Sequence, residues 1–359
     1  MKVSMTDDTQ GDLRRRLEAI HRQYERHFAG QARVSRDASL LDAMGEELDE
    51  VVGELSSLAG SDRSELEALI QERRELYTTE ASTIRSAQAD PRAQEIYEVQ
   101  TWVRIGNGRY RRHFAGKSRS TRDQGLLKEL TSDAERQRSL LEGIGGEDVE
   151  GTIRGLHESI ELYRAELEHV ERALRESTEE QRSGALARAA NLQFELYRDR
   201  FVGHPRLSRR PAVLKRVARN LESILSGMQK LQGEPSVGDD NDRNIQIVQE
   251  RLGFYRAELE SIRDAKSESS VGDLVTSLAE AANGVFKRYG EEFAGHDRRT
   301  RDPEILSAMI EELYDVARQM EDLQRFAQLP ANGANLRLVL DALRLYDHEF
   351  DHVVQARAN

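Results

Sequence analysis

Four times along this chain the same residues recur in the same order: a Tyr, a Phe four positions on, a Gly two further, then two Arg. The copies are Tyr24, Phe28, Gly30, Arg33, Arg36; then Tyr110, Phe114, Gly116, Arg119, Arg122; then Tyr197, Phe201, Gly203, Arg206, Arg209; and last Tyr289, Phe293, Gly295, Arg298, Arg301. The Phe returns after 86, 87 and 92 residues. A period of this length marks a repeat architecture, in which one supersecondary unit is written over and over. The expected fold is all-α: a tandem array of four three-helix repeats of about 87 residues each, elongated or superhelical. A disordered tail over residues 1–11 is expected to precede repeats at 12–90, 91–177, 178–268 and 269–359.

Composition agrees with helices. Of 359 residues, 38% are hydrophobic and 33% charged, the balance of amphipathic helices with broad wet faces. Only 6 Pro occur, and runs rich in Val, Ile and Thr are missing, which argues against strands. The net charge of −12 disfavours sequence-independent binding to nucleic acid or to an anionic membrane. With 0 Cys there is no disulfide, thiolate zinc site or cysteine nucleophile. The first residues are polar and acidic without an apolar signal core, and no apolar run reaches about 18 residues. A cytoplasmic, water-soluble protein with no membrane span is expected. Seven of the 53 basic residues are Lys and the rest Arg. That excess fits a GC-rich, bacterial-like composition; the alternative is Arg selected for carboxylate or phosphate forks.

Within a copy the spacing predicts three helices. The first carries an apolar stripe ending in the Tyr and Phe, as in Leu278, Ala282, Phe286, Tyr289, Phe293. The Gly two residues later suits a left-handed position past the helix end. The second helix opens at Asp37, Asp123 or Asp302, with Pro303 at the first helical position in copy four. Copy three has Arg210 before Pro211, so its cap must differ. The stripe that follows has heptad spacing: Leu41, Met44, Leu48, Val51, Leu55 in copy one, and Leu214, Val217, Leu221, Ile224, Met228 in copy three. Copy two is weaker, with Ala134 and Gln137 in the seam. The third helix carries Tyr-x-x-Glu: Tyr77/Glu80, Tyr163/Glu166, Tyr255/Glu258, Tyr346/Glu349. Glu67 and Arg74 interrupt its stripe in copy one, as in the end cap of an array. Such units are similar in architecture to spectrin-type repeats, which are longer and centre on a Trp; here the single Trp102 serves one copy, and the likeness carries no function.

Few residues offer chemistry. His348-Glu349-Phe350-Asp351-His352 matches the zinc-peptidase pattern, two His one turn apart with a Glu to activate water. The repeat argues otherwise: Glu349 is the copy-four member of Tyr-x-x-Glu, and no third ligand follows in the remaining residues. Gly106-Asn107-Gly108 lacks the third Gly and the preceding strand of a dinucleotide loop; it falls in the first helix of copy two, which it should weaken. No phosphate loop, calcium loop or nucleophile elbow occurs, so neither an enzyme activity nor a cofactor is expected. Most aromatic residues, Phe254 among them, fall in or beside the core stripes, which leaves few to stack on bases.

The Arg pairs remain. Arg33/Arg36, Arg119/Arg122, Arg206/Arg209 and Arg298/Arg301 lie between the first and second helices of their copies. They could capture an anion, or they could bond the free carbonyls ending helix one and the Glu of Tyr-x-x-Glu. An Arg–Glu separation beyond about 6 Å in every copy would exclude the second reading. The expected function is a non-enzymatic helical-repeat scaffold or adaptor for protein partners. The alternative is an anion-binding module for phosphorylated ligands, a polyanion or nucleic acid, and more remotely a metal-dependent hydrolase built on His348, Glu349 and His352.

Overall fold

The computed structural model describes residues 5–28, 33–55, 61–114, 122–327 and 329–358, and every long element within them is an α-helix. In chain order these are α1 (Met5–Phe28), α2 (Ala38–Glu54), α3 (Ser61–Ala89), α4 (Pro91–Phe114), α5 (Gln124–Ile144), α6 (Glu147–Glu176), α7 (Glu179–Phe201), α8 (Pro211–Lys230), α9 (Asp239–Glu268), α10 (Val271–Glu292), α11 (Pro303–Phe326) and α12 (Pro330–Ala358). Short 3-10 turns at Arg33–Ser35, Arg206–Ser208 and Arg298–Thr300 precede α2, α8 and α11. Helix α1 begins at Met5, inside the segment expected as a disordered tail.

Local chemistry sets the helix ends. Asp37, Asp123 and Asp302 are N-caps whose carboxylates accept from the amides of Ser39, Leu126 and Glu304 at 2.9–3.0 Å. Arg210 caps α8 without a side-chain bond, and Pro211 at the first position needs no partner for an amide hydrogen. Gly203 and Gly295 sit at φ 82° and 78°, the left-handed conformation past α7 and α10; Gly30 and Gly116 lie outside the described residues. Thr178 and Ser270 form capping boxes that start α7 and α10, and Pro91 starts α4. One pair of residues was not foreseen. Asn241 and Asn332, both buried, donate to the carbonyls of Met228 and Met320 at 2.9 and 2.8 Å, tying the start of α9 and α12 to the end of the preceding helix.

The chain divides into two compact units, Met1–Val99 and Gln100–Asn359. In the first, Leu17 and Phe28 of α1, Leu41 and Leu48 of α2, and Leu66, Ile70, Tyr77 and Ile84 of α3 form one apolar core. Glu67 and Arg74 do not interrupt it. They reach outward, to Arg63 at 2.7 Å and to Asp49, while Leu66 and Ile70 fill the seam.

In the second unit α5 packs on α6, α8 on α9 and α11 on α12, with the predicted seams buried. Gln137, in the weak seam of α5, is buried with its amide unpaired. Helix α4 belongs to two cores at once. Its Tyr110 packs on Tyr163 of α6 at 5.1 Å between ring centroids, while Trp102 and Ile105 enter the core built by α10, α11 and α12. Gly106-Asn107-Gly108 does not break it. Gly108 has no Cβ because the Asp347 carboxylate of α12 occupies that space, and Asn107 accepts from the Tyr163 hydroxyl at 3.0 Å. The glycine that looked like a weakness makes room for a carboxylate of another helix.

Candidate functional site

The recurring Arg pair and the recurring Glu meet. The 3-10 turn projects both arginines toward the third helix of the copy, where the Glu lies one turn beyond its Tyr. Arg33 and Arg36 both bond Glu80, the former at 3.3 and 3.4 Å. Arg298 grips Glu349 with two parallel bonds of 3.0 and 2.9 Å, and Arg301 bonds the same carboxylate. Arg209 bonds Glu258, with Arg206 at 4.0 Å from it, and Arg122 bonds Glu166. Arg119 lies outside the described residues. The second arginine does more: Arg209 and Arg301 also donate through Nε to the carbonyls of His204 and His296, at 2.9 and 3.1 Å, just past the first helix. One guanidinium thus ties the end of helix one to helix three. Side chains from the far end of helix three hold the same turn: Gln88 donates to the Arg36 carbonyl at 2.7 Å, Lys266 to that of Leu207 at 2.6 Å, and Arg357 to that of Arg301 at 3.4 Å.

The two arginines are not equivalent. Side chains of Arg36, Arg122, Arg209 and Arg301 are only 11–15% exposed, whereas Arg33, Arg206 and Arg298 are 49–56% exposed. The inner arginine is a strut; the outer one keeps part of its fork in water. Two cations on one carboxylate leave each complete clasp with a net positive charge. The hydrogen bonds that Arg298 donates to Glu349 hold its guanidinium even more firmly protonated than usual. Behind the clasp the tyrosines pair ring to ring, Tyr24 with Tyr77, Tyr197 with Tyr255 and Tyr289 with Tyr346, at 5.3, 4.3 and 4.1 Å. Burial pushes the Tyr77, Tyr163 and Tyr255 hydroxyls up to about 12.

A second constellation, in the Gln100–Asn359 unit, escaped sequence reasoning. Glu311 of α11 is buried and takes a bidentate bond from Arg109 of α4 (3.0 Å at Nε and at Nη2) and another from Arg200 of α7 at 3.3 Å. Arg112 bonds Asp347 at 2.5 Å, and Arg318 bonds Asp133 of α5 at 2.7 Å. Tyr314 donates to Asp133, meets Trp102 edge-on at 5.7 Å and lies under the Arg109 guanidinium at 3.8 Å. Burial alone would raise the Glu311 carboxyl; the Arg109 charge, with His113 and Arg200, reverses this and holds it well below the usual carboxylate range. The signal lay in what did not repeat. Trp102 and Tyr314 are aromatics outside the periodic positions, and each faces the other.

The His-Glu-x-x-His string does not converge on a metal. Glu349, its general-base position, is buried under Arg298 and Arg301. The Nε2 atoms of His348 and His352 stand 3.1 Å apart, and burial with the neighbouring His352 lowers the His348 pKa. Among the described residues no group of three His, Cys, Asp or Glu could hold a metal ion, and no helix is long and apolar enough to cross a membrane.

The residue before the helix-three Tyr was missed as well. It is Leu76, Leu162, Phe254 and Leu345 in the four copies, and all four are 38–56% exposed. Phe254 therefore belongs to the surface, where its ring meets Tyr197 edge-on at 5.6 Å. No family model, curated protein or solved structure matches the chain.

Proposed function

We propose that this protein is a non-enzymatic helical-repeat scaffold of four three-helix units, bounded at residues 12–90, 91–177, 178–268 and 269–359, that engages protein partners in the cytoplasm. One observation carries the reading: a large apolar side chain stays in water at the same place in every copy. The core does not use it, so its recurrence serves something outside the chain. The Arg pairs support the same reading, because the inner arginines are taken up in holding each unit together. The anion-binding alternative retains only the outer arginines.

The test replaces Leu76, Leu162, Phe254 and Leu345 together by Ser. The variant is expected to keep its helical circular dichroism and to lose most of the intermolecular protein crosslinks that the wild-type chain forms in cells. An unchanged crosslink pattern in a folded variant would refute the scaffold reading.

A further inference from the structure

The exposed apolar residue and the outer arginine are neighbours, and together they describe a ligand. In each copy the apolar residue sits four positions before the clasp Glu, on the same helix face and about 6 Å along the axis. The outer arginine is bonded to that Glu in copies one and four and lies 4.0 Å from it in copy three. An apolar contact point and a half-exposed guanidinium therefore stand within about 10 Å, the span of about three residues of extended chain.

The surroundings are cationic on a molecule whose net charge is −12. Around Tyr197 stand Arg206, Arg209 and Arg251 with Glu258; around Tyr289 stand Arg298 and Arg301 with Glu349. In copies three and four the apolar strip extends two turns back along the helix through exposed Ile247 and Leu338. The stacked tyrosines underneath fix the patch in place, so little ordering is needed on binding.

We infer that the third helix of each of these copies docks an acidic–apolar peptide segment of a partner protein. A large apolar residue of that segment packs on Phe254 or Leu345, and a carboxylate three or four positions away bonds the free edge of Arg206 or Arg298. This rests on the scaffold reading and specifies its partner. The copy of the patch with Leu345, Leu338 and Arg298 combines the largest apolar exposure with the best-formed clasp, and is the strongest site.

The probe is a fluorescein-labelled peptide of about 16 residues with Leu and Glu recurring four apart, compared with one carrying Lys for Glu and one carrying Ser for Leu. Fluorescence polarisation on the full chain is expected to show saturable, salt-sensitive binding of the first peptide alone. Binding should weaken by roughly tenfold in Phe254→Ser/Leu345→Ser and in Arg206→Gln/Arg298→Gln, both with wild-type helicity. Equal binding of the Lys peptide, or no loss in either variant, overturns the inference. So does sedimentation showing that Phe254→Ser/Leu345→Ser turns a dimer into a monomer, since a second copy of the chain would then be the occupant. Should the peptides fail while the fourfold Ser variant still loses its crosslinks, the scaffold stands and only the acidic chemistry is wrong.

Discussion

Within each clasp the carboxylate is the member that cannot be spared. Glu349 is buried and serves two guanidiniums, so Glu349→Gln strands the buried Arg301 charge; urea denaturation should show a loss of about 2–4 kcal/mol. Arg298 is half in water, and Arg298→Gln should cost less than about 1 kcal/mol. Comparable losses for the two variants would contradict the division into strut and outer arm. Lys266 offers a pH test. Its amine bonds the Leu207 carbonyl and Gln319, and burial pushes its pKa down to about 8. A base held below its unfolded value binds fewer protons folded than unfolded, so its contribution to stability rises between about pH 8 and 10.5. Relative to Lys266→Met, the wild-type chain should gain on the order of 2 kcal/mol from pH 7.5 to 10 in urea midpoints; parallel pH profiles would rule this out.

Helix α4 shows how far a local rule reaches. Two glycines inside a helix each cost about 1 kcal/mol relative to Ala. Gly106 has open space where a Cβ would go, so Gly106→Ala should raise the melting temperature. Gly108→Ala should lower it despite the better propensity, because the new methyl lands on the buried Asp347 carboxylate held by Arg112. Reversal of these signs would mean that α4 and α12 do not approach as described. Sequence reading recovered the caps at Asp37, Asp123 and Asp302 and the buried stripes, and it offered the recurring Glu as one of two alternatives for the Arg pairs, since four parallel copies let a shared requirement stand out from noise. It missed Leu76, Leu162, Phe254 and Leu345 because an apolar residue beside a core Tyr reads as core until its direction around the helix is known. It misjudged Gly108 because the crowding atom comes from 239 positions away.

At the scale of the molecule, contacts between copies were the illegible part. Trp102 and Tyr314 each occur in one copy only, and comparison by period discards what is unique. Glu311 is the hub, meeting Arg109, Arg112, His113 and Arg200. Glu311→Ala takes from Arg109 its bidentate partner and from Arg112 and Arg200 one of their two carboxylates, and should cost about 3–5 kcal/mol. The single Trp102 lies in the adjoining core, so its fluorescence during denaturation reads the loss directly. An unshifted Trp102 transition would show that the network is dispensable.

The double allegiance of α4 bears on how such a chain can change in length. In a solenoid whose units touch only their neighbours, an interior unit can be excised or duplicated and the ends rejoined. Here the segment that looks like an ordinary interior copy supplies Trp102 and Ile105 to the core of the last one. Excising residues 91–177 would leave α10, α11 and α12 with an open apolar face and leave Glu311 and Asp347 without Arg109 and Arg112. The present chain is therefore not free to lose residues 91–177.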